Sequence, residues 1–341
     1  MENKKSFCGG LLTFAEKPAN NPGSLKEFEE HEHYGVALIE HDYPGKTPAM
    51  WNAAYRHFGI DSAVAMMVGD PAKAGDILEM LKADPKYIGG GAGVGFKDTS
   101  INYVDELDPL AKAIGAINLI EKLPSGKLKG WNTDGVGYAQ SLEELLQKQG
   151  EVLHEAKIVM IGAGGTANAI AFALAEKGAY LSIINRTVAK AEELVKRINE
   201  RAGKEVAQAF SEDVLSEKLL GADVVINVST KGASGDFEKY SALAPAKLPA
   251  TPENVKENLD TATQTLDAMP ASIILSDVVL RNEPTPFLKQ AEGKGFATLN
   301  GVPMVINQGV LAFLILHGDE IGRTEDVRNE LRKVMEEAAG L

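Results

Sequence analysis

Residues 158–190, IVMIGAGGTANAIAFALAEKGAYLSIINRTVAK, restrict the possible folds more than any other stretch of this chain. Ile158–Ile161 is the short apolar run of a strand buried on both faces. Gly162, Gly164 and Gly165 let the backbone turn tightly, and the residues after them (Thr166, Ala167) open a helix whose first amides suit a pyrophosphate. With Ala163 these residues form a candidate cofactor set. The spacing is GxGGxxxA rather than strict GxGxxG, so the pattern draws its weight from the strands on either side. About twenty residues past such a turn, NAD-binding chains place an acidic residue on the ribose 2′-hydroxyl. Here the second strand ends on Asn185, Arg186 and Thr187, with Lys190 one helical turn later. A guanidinium favours a 2′-phosphate, whereas a carboxylate would repel it. The expected cofactor is NADP rather than NAD.

A length of 341 residues accommodates two domains with separate cores. The formal charge of −13 argues against a general nucleic-acid binder, though not against a local basic pocket. The single Cys8 excludes an intramolecular disulfide and fits a reducing compartment. The N-terminus lacks the apolar run of a secretory signal, and no apolar stretch reads as a membrane span. The chain is therefore expected to be cytoplasmic and to act on a small molecule, with no nucleic-acid or membrane partner, as a monomer or homodimer.

Residues 1–33 are polar and punctuated by Gly, Pro and Asn, which predicts an extension. From Tyr34 strands and helices alternate: VALIE, a helix over 49–58, SAVAMMV, the helix AGDILEMLKA, and a Gly-rich loop over 89–95. This alternation predicts a parallel or mixed sheet covered by helices. A helix over 105–114 and a strand pair around Pro124-Ser125-Gly126 follow. A linker helix over 135–149 leads into the nucleotide domain, which continues through DVVINVST and SIILSDVVL. The Pro/Ala/Lys-rich segment 240–269 is expected to be a surface excursion with some helix. VPMVINQGVLAFLILHG predicts a packed apolar helix, and 325–339 a charged amphipathic one.

Several of these segments, in order, resemble the shikimate dehydrogenase family. They are PAMWNAA (48–54), LDPLAKAIGAIN (107–118), GWNTDGVG (130–137), the glycine turn, Asn185-Arg186-Thr187 with Lys190, Asp223–Asn227, and Asn300-Gly301 through Gln308. The resemblance implies an α/β fold of two domains with a cleft between them. One is an N-terminal substrate domain with a mixed sheet, over 34–134 and 301–341. The other is a Rossmann-like NADP domain over 135–300. It further implies reversible oxidation of a ring hydroxyl of shikimate, or of a closely related ring acid, within aromatic amino acid biosynthesis. Lys97 and Asp134 correspond to the family's proton-transfer pair, and Asn118 and Gln308 to positions that hydrogen-bond substrate hydroxyls. Val228, Ser229 and Gly301 extend the cofactor set.

Hydride removal from a secondary alcohol requires loss of the hydroxyl proton, and a Lys whose pKa is lowered by burial can take it. The ordinary alternative for a Lys and an Asp is an exposed ion pair. For Gln308 the alternative is a structural bond to backbone. The chain also departs from the family. The carboxylate-binding Ser-x-Ser is Gly45-Lys46-Thr47, the V-T-x-P-x-K segment is Ala92–Lys97, and the Tyr after D-V-V is Leu280. Thr47, Lys46 and Arg281 are the replacement candidates for holding substrate. These changes leave open a quinate/shikimate-type enzyme using NAD or both cofactors, and a catalytically silent NADP-binding sensor. Glutamyl-tRNA reductase shares the glycine turn but needs a Cys nucleophile. Gly45-Lys46-Thr47 is no Walker A loop, because Glu40 stands where that motif needs Gly. His31, Glu32, His33 and His41 read as a solvated cluster rather than a metal site.

Overall fold

The structure is a computed structural model describing residues 12–13, 31–41, 45–281 and 283–340. Cys8 and most of the predicted extension lie outside these residues. The chain divides into two compact units, Met1–Thr133 with Ile306–Leu341, and Asp134–Val305.

The first unit is built on a seven-stranded mixed sheet. Its strands are β1 (Leu12–Thr13), β2 (His33–Ile39), β3 (Ser62–Gly69), β4 (Tyr87–Gly91), β5 (Glu106–Leu107), β6 (Leu119–Lys122) and β7 (Leu128–Trp131), in the order β1-β3-β2-β4-β6-β7-β5. β2 pairs parallel to β3 and β4, and β6 pairs antiparallel to β4 and β7. The stretch expected to begin a loop at Gly89 is thus a strand through Gly91. Its glycines answer to close backbone approach, since a Cβ on Gly90 would lie 2.0 Å from the Val36 carbonyl oxygen. The helix expected from Asp105 begins only at Pro109, where the Asp108 carboxylate accepts from the amides of Leu110 and Ala111. Glu106 and Leu107 pair with β7 instead.

The helix Val302–Ile321 is long and apolar enough to cross a membrane by length and composition, contrary to the sequence expectation. It packs as a core helix. Its Phe313 ring meets Trp51 edge-on at 5.7 Å and Tyr55 at 5.2 Å. The helix Glu325–Ala339, capped by the Thr324 hydroxyl, packs on Thr47–Phe58.

The second unit holds a six-stranded parallel sheet. Its strands are β8 (Lys157–Ile161), β9 (Tyr180–Ile184), β10 (Ala207–Phe210), β11 (Val224–Asn227), β12 (Ile274–Asp277) and β13 (Thr298–Leu299), in the order β10-β9-β8-β11-β12-β13. From β8 the chain winds outward to β10, then returns to the other side of β8 at β11. The crevice outside the carboxyl ends of β8 and β11 is therefore a topological switch point, where such sheets bind ligands.

Segment 240–269 departs from the surface excursion expected of it. Ala242, Leu243 and Ala244 are buried in one core with Leu266 and Phe287, and Tyr240 is fully buried as well; the helix expected within the segment spans Pro252–Ala268. Buried Asn258 donates to the carbonyls of Ser241, Ala244 and Pro245 and accepts from the Ser241 amide, which satisfies the backbone of the turn.

At the end of β12, Asp277 is fully buried and accepts hydrogen bonds from Asn227, Thr285 and the Val279 amide. Burial outweighs these bonds and pushes its carboxyl up to about 6. A carboxyl raised above its unfolded value stabilises the fold while protonated, and loses that contribution as pH rises through the folded value. Urea unfolding of wild type and Asp277→Asn at several pH values should show wild type losing ~2–3 kcal/mol relative to the variant between about pH 4 and 7. Parallel stability curves would contradict this assignment.

Candidate functional site

In the second unit, the carboxyl ends of β8, β9 and β11 surround a cavity of about 280 Å³. Gly162, Ala163, Gly164, Asn185, Arg186, Thr187, Lys190, Val228 and Ser229 all line it. Gly162 has φ +122°, and a Cβ there would lie 2.7 Å from the Val228 carbonyl oxygen. The floor of the crevice therefore admits only glycine. The helix Gly165–Glu176 starts beside it with no side-chain cap, which leaves first-turn amides for an anion. Gly165 and Thr166 are exposed in that turn, whereas Ala167 is buried. Gly301 does not line the cavity; its missing Cβ makes room for the Val278 carbonyl, 2.7 Å from where that atom would be.

Arg186, just past the end of β9, and Lys190, in the first turn of the helix Val188–Ala202 that follows, are both exposed and give the rim its positive charge. The β11 side is fixed by Asn227. Its Oδ1 accepts from the amide and hydroxyl of Ser229, and its Nδ2 donates to the Lys231 carbonyl. These donors, the glycine cradle and the basic rim fit an anionic dinucleotide.

Lys231, Glu212, Thr230, Phe237 and Ala246 also line the cavity and were missed in the sequence. Lys231 is buried, donating to Glu212 at 2.8 Å and to the Ala244 carbonyl at 2.9 Å. Lys231 thereby ties the cavity to the segment that carries Ala246. A Lys just after a β11 strand was the available signal, but nothing in the sequence announced its acidic partner nineteen residues upstream.

In the first unit, Asn118 lies between β4 and β7, where its amide donates to the Trp131 carbonyl. Its Nδ2 donates to the Thr133 hydroxyl at 2.9 Å and to Gln308 Oε1 at 3.2 Å, and its Oδ1 accepts from the Thr133 amide at 2.8 Å. The Thr133 hydroxyl also donates to Gln308 Oε1, at 3.4 Å. Asn118 and Gln308, separated by 190 residues, thus meet through Thr133 in one amide–hydroxyl cluster. Thr133 was another omission of the sequence reading, although it lies inside WNTDG. Asp134 follows it directly, is buried, and opens the helix Asp134–Lys148.

Lys97 is half-buried at the end of a tight turn. The Thr99 hydroxyl donates to the Gly95 carbonyl, Phe96 is buried, and the Lys97 carbonyl accepts from Ile117. The backbone holding Lys97 is thereby tied to the loop that leads through Asn118 into β6.

The proposed anchors are otherwise employed. Lys46 donates to the Ala339 carbonyl at 2.9 Å, at the C-terminus of a helix where a cation is favourable. Thr47 is half-buried at the start of its helix. Arg281 donates to the Gly232 carbonyl and to Glu238, both in its own unit. His31 is bonded to Asp61 at 2.7 Å, and among the described residues no group of three or more metal-ligating side chains gathers.

Two family descriptions match this chain. "Shikimate dehydrogenase substrate binding domain" covers residues 43–120, and "Shikimate / quinate 5-dehydrogenase" covers 144–238. A shikimate dehydrogenase (NADP(+)) of Methanosarcina barkeri is 33% identical over 276 residues, 80% of this chain and 89% of the relative. The chain belongs to the shikimate dehydrogenase family. The fold agrees with this membership. A shikimate 5-dehydrogenase from Listeria monocytogenes, solved with shikimate and NAD, gives a TM-score of 0.73 at 25% identity over 89% of this chain and 96% of that one. A shikimate dehydrogenase solved with NADP+ gives 0.72 at 27% identity, over 94% and 99%. Like them, this shikimate dehydrogenase family member is an oxidoreductase with a two-domain α/β fold.

Proposed function

We propose that this chain is an NADP-dependent shikimate dehydrogenase of the cytoplasm, reducing 3-dehydroshikimate to shikimate and running the same step in reverse. The observation that carries the reading is the switch-point cavity with Arg186 and Lys190 on its rim, in a member of this family. Relatives at this similarity are named shikimate dehydrogenases (NADP(+)), which favours this substrate over quinate and an enzyme over a silent sensor.

NADP+, when bound, supplies the hydride acceptor. Gly162, Ala163, Gly164 and the helix amides after them hold the pyrophosphate, and Arg186 and Lys190 bind the 2′-phosphate. Asn118 and Gln308 fix the substrate hydroxyls, with Thr133 holding both amides in register. Lys97 Nζ takes the proton of the reacting hydroxyl as hydride leaves its carbon, and returns it in reduction. Asp134 orients that ammonium. Thr47, at its helix N-terminus, is the remaining hydroxyl for the substrate carboxylate. Lys46 and Arg281 are assigned no substrate role, because protein oxygens already hold them.

The reading is tested by incubating 3-dehydroshikimate with NADPH and identifying the product by mass spectrometry. Gain of two hydrogens and co-elution with shikimate are expected, while unchanged substrate would refute the assignment. Arg186→Ala should raise the KM for NADP+ about 10- to 100-fold, the usual worth of a charged hydrogen bond, and leave that for NAD+ nearly unchanged. Equal losses for both cofactors would place Arg186 elsewhere than at the 2′-phosphate.

A further inference from the structure

We propose that Phe237 is a positioning residue for cofactor choice: its ring holds the Arg186 guanidinium where a 2′-phosphate is bound. The proposal rests on the NADP reading above and adds to it a residue outside the glycine turn and the β9 end.

Arg186 is an exposed side chain, and a free guanidinium of this kind samples many rotamers. In this structure its Cζ stands 5.9 Å from the centroid of the Phe237 ring, within the reach of a cation–π attraction. Phe237 itself is half-buried and lines the same cavity, opposite the end of β9.

The ring is a credible platform only if its loop is rigid, and the loop is tied at several points. The Phe237 carbonyl accepts from the amides of Gly232 at 2.9 Å and Tyr240 at 3.1 Å. The Tyr240 ring lies 6.2 Å from that of Phe237 and is fully buried, with its hydroxyl bonded to the Lys247 carbonyl. Arg281 clasps the loop from the β12 side, donating to the Gly232 carbonyl at 2.8 Å and to Glu238 Oε1 at 3.0 Å. A side chain in the position of a substrate anchor therefore serves the cofactor wall. Pre-ordering Arg186 in this way reduces the side-chain entropy lost when phosphate binds.

The test uses the full chain and isothermal titration with 2′,5′-ADP and 5′-AMP, probes that differ by the 2′-phosphate. Wild type should bind 2′,5′-ADP more tightly. Phe237→Ala and Phe237→Leu should lower the affinity ratio of the two probes about three- to fivefold, and Phe237→Tyr should restore it. The Leu variant fills the space without a ring face, so it separates the π contact from loss of packing. In an Arg186→Ala background, Phe237→Leu should have no further effect on the ratio. A wild type that does not distinguish the probes would sink the NADP reading itself. A wild type that does distinguish them, with the ratio unchanged in Phe237→Leu, would overturn the role of Phe237 alone.

Discussion

Lys97→Ala is expected to lower kcat for shikimate oxidation about 10³-fold, a loss of ~4 kcal/mol of transition-state stabilisation. The affinity for NADPH, measured by fluorescence titration, should change less than about threefold, because the cofactor cavity is lined by the glycine turn, Arg186 and Lys190 and not by Lys97. The substrate hydroxyl must lose its proton as hydride departs, and Asn118, Gln308 and Thr133 offer only amides and a hydroxyl, which leaves that step to Lys97, oriented by Asp134. Lys97 sits on a turn locked by the Thr99–Gly95 bond and by Ile117, so truncating its side chain leaves the backbone in place. Asp134→Asn should reduce kcat in the same direction with a folded protein. A Lys97→Ala enzyme retaining a tenth or more of wild-type kcat would remove Lys97 from the chemistry.

The second large effect falls on stability. Gly135 follows Asp134 on the helix Asp134–Lys148, where that helix crosses Gly165–Glu176. A Cβ on Gly135 would lie 2.0 Å from the Ala169 carbonyl oxygen and 2.5 Å from its carbon. Backbone atoms of a packed helix cannot yield as a flexible side chain would, so the helices must separate. Gly135→Ala should cost ~3–4 kcal/mol, at or above the usual upper end for overpacking, and lower Tm by about 10 °C. Gly293→Ala is the matched control, since a Cβ there meets nothing within 4 Å and its helix gains a better helix former. Because Asp134 precedes Gly135, the variant should also lose kcat/KM at temperatures where it remains folded. A Gly135→Ala protein as stable as wild type would mean that the two helices cross less tightly than described.

Much of the second unit was legible in the sequence because its signals are local. Ile158–Ile161, the glycine turn and the basic end of β9 follow one another within 33 residues, and each states its own physical requirement. The amphipathic helix 325–339 declared itself through its period, with Leu331 and Met335 turned inward. Where reading failed, the cause was contact between distant segments. Gly89 and Gly90 look like loop residues until Val36 and Ile120 are seen to press against them. Segment 240–269 looks like a surface excursion because the atoms that bury it belong to other parts of the sheet unit. Its interior polar groups are satisfied by a single Asn258 that the sequence does not distinguish from any other Asn. Lys46 and Arg281 were visible as cations, but not the carbonyl and carboxylate oxygens that hold them. The pairing of Asn118 with Gln308 was foreshadowed only by family resemblance; the Thr133 that joins them required the fold.

The central claim is that this chain transfers hydride between shikimate and NADP. The most direct measurement is the initial rate of NADPH formation, by absorbance, with wild type, shikimate and NADP+, beside Lys97→Ala. Saturable, shikimate-dependent NADPH formation by wild type, lost in the variant, is the predicted result. No NADPH formation by a wild type that binds NADPH tightly, or equal rates in the two proteins, would contradict it.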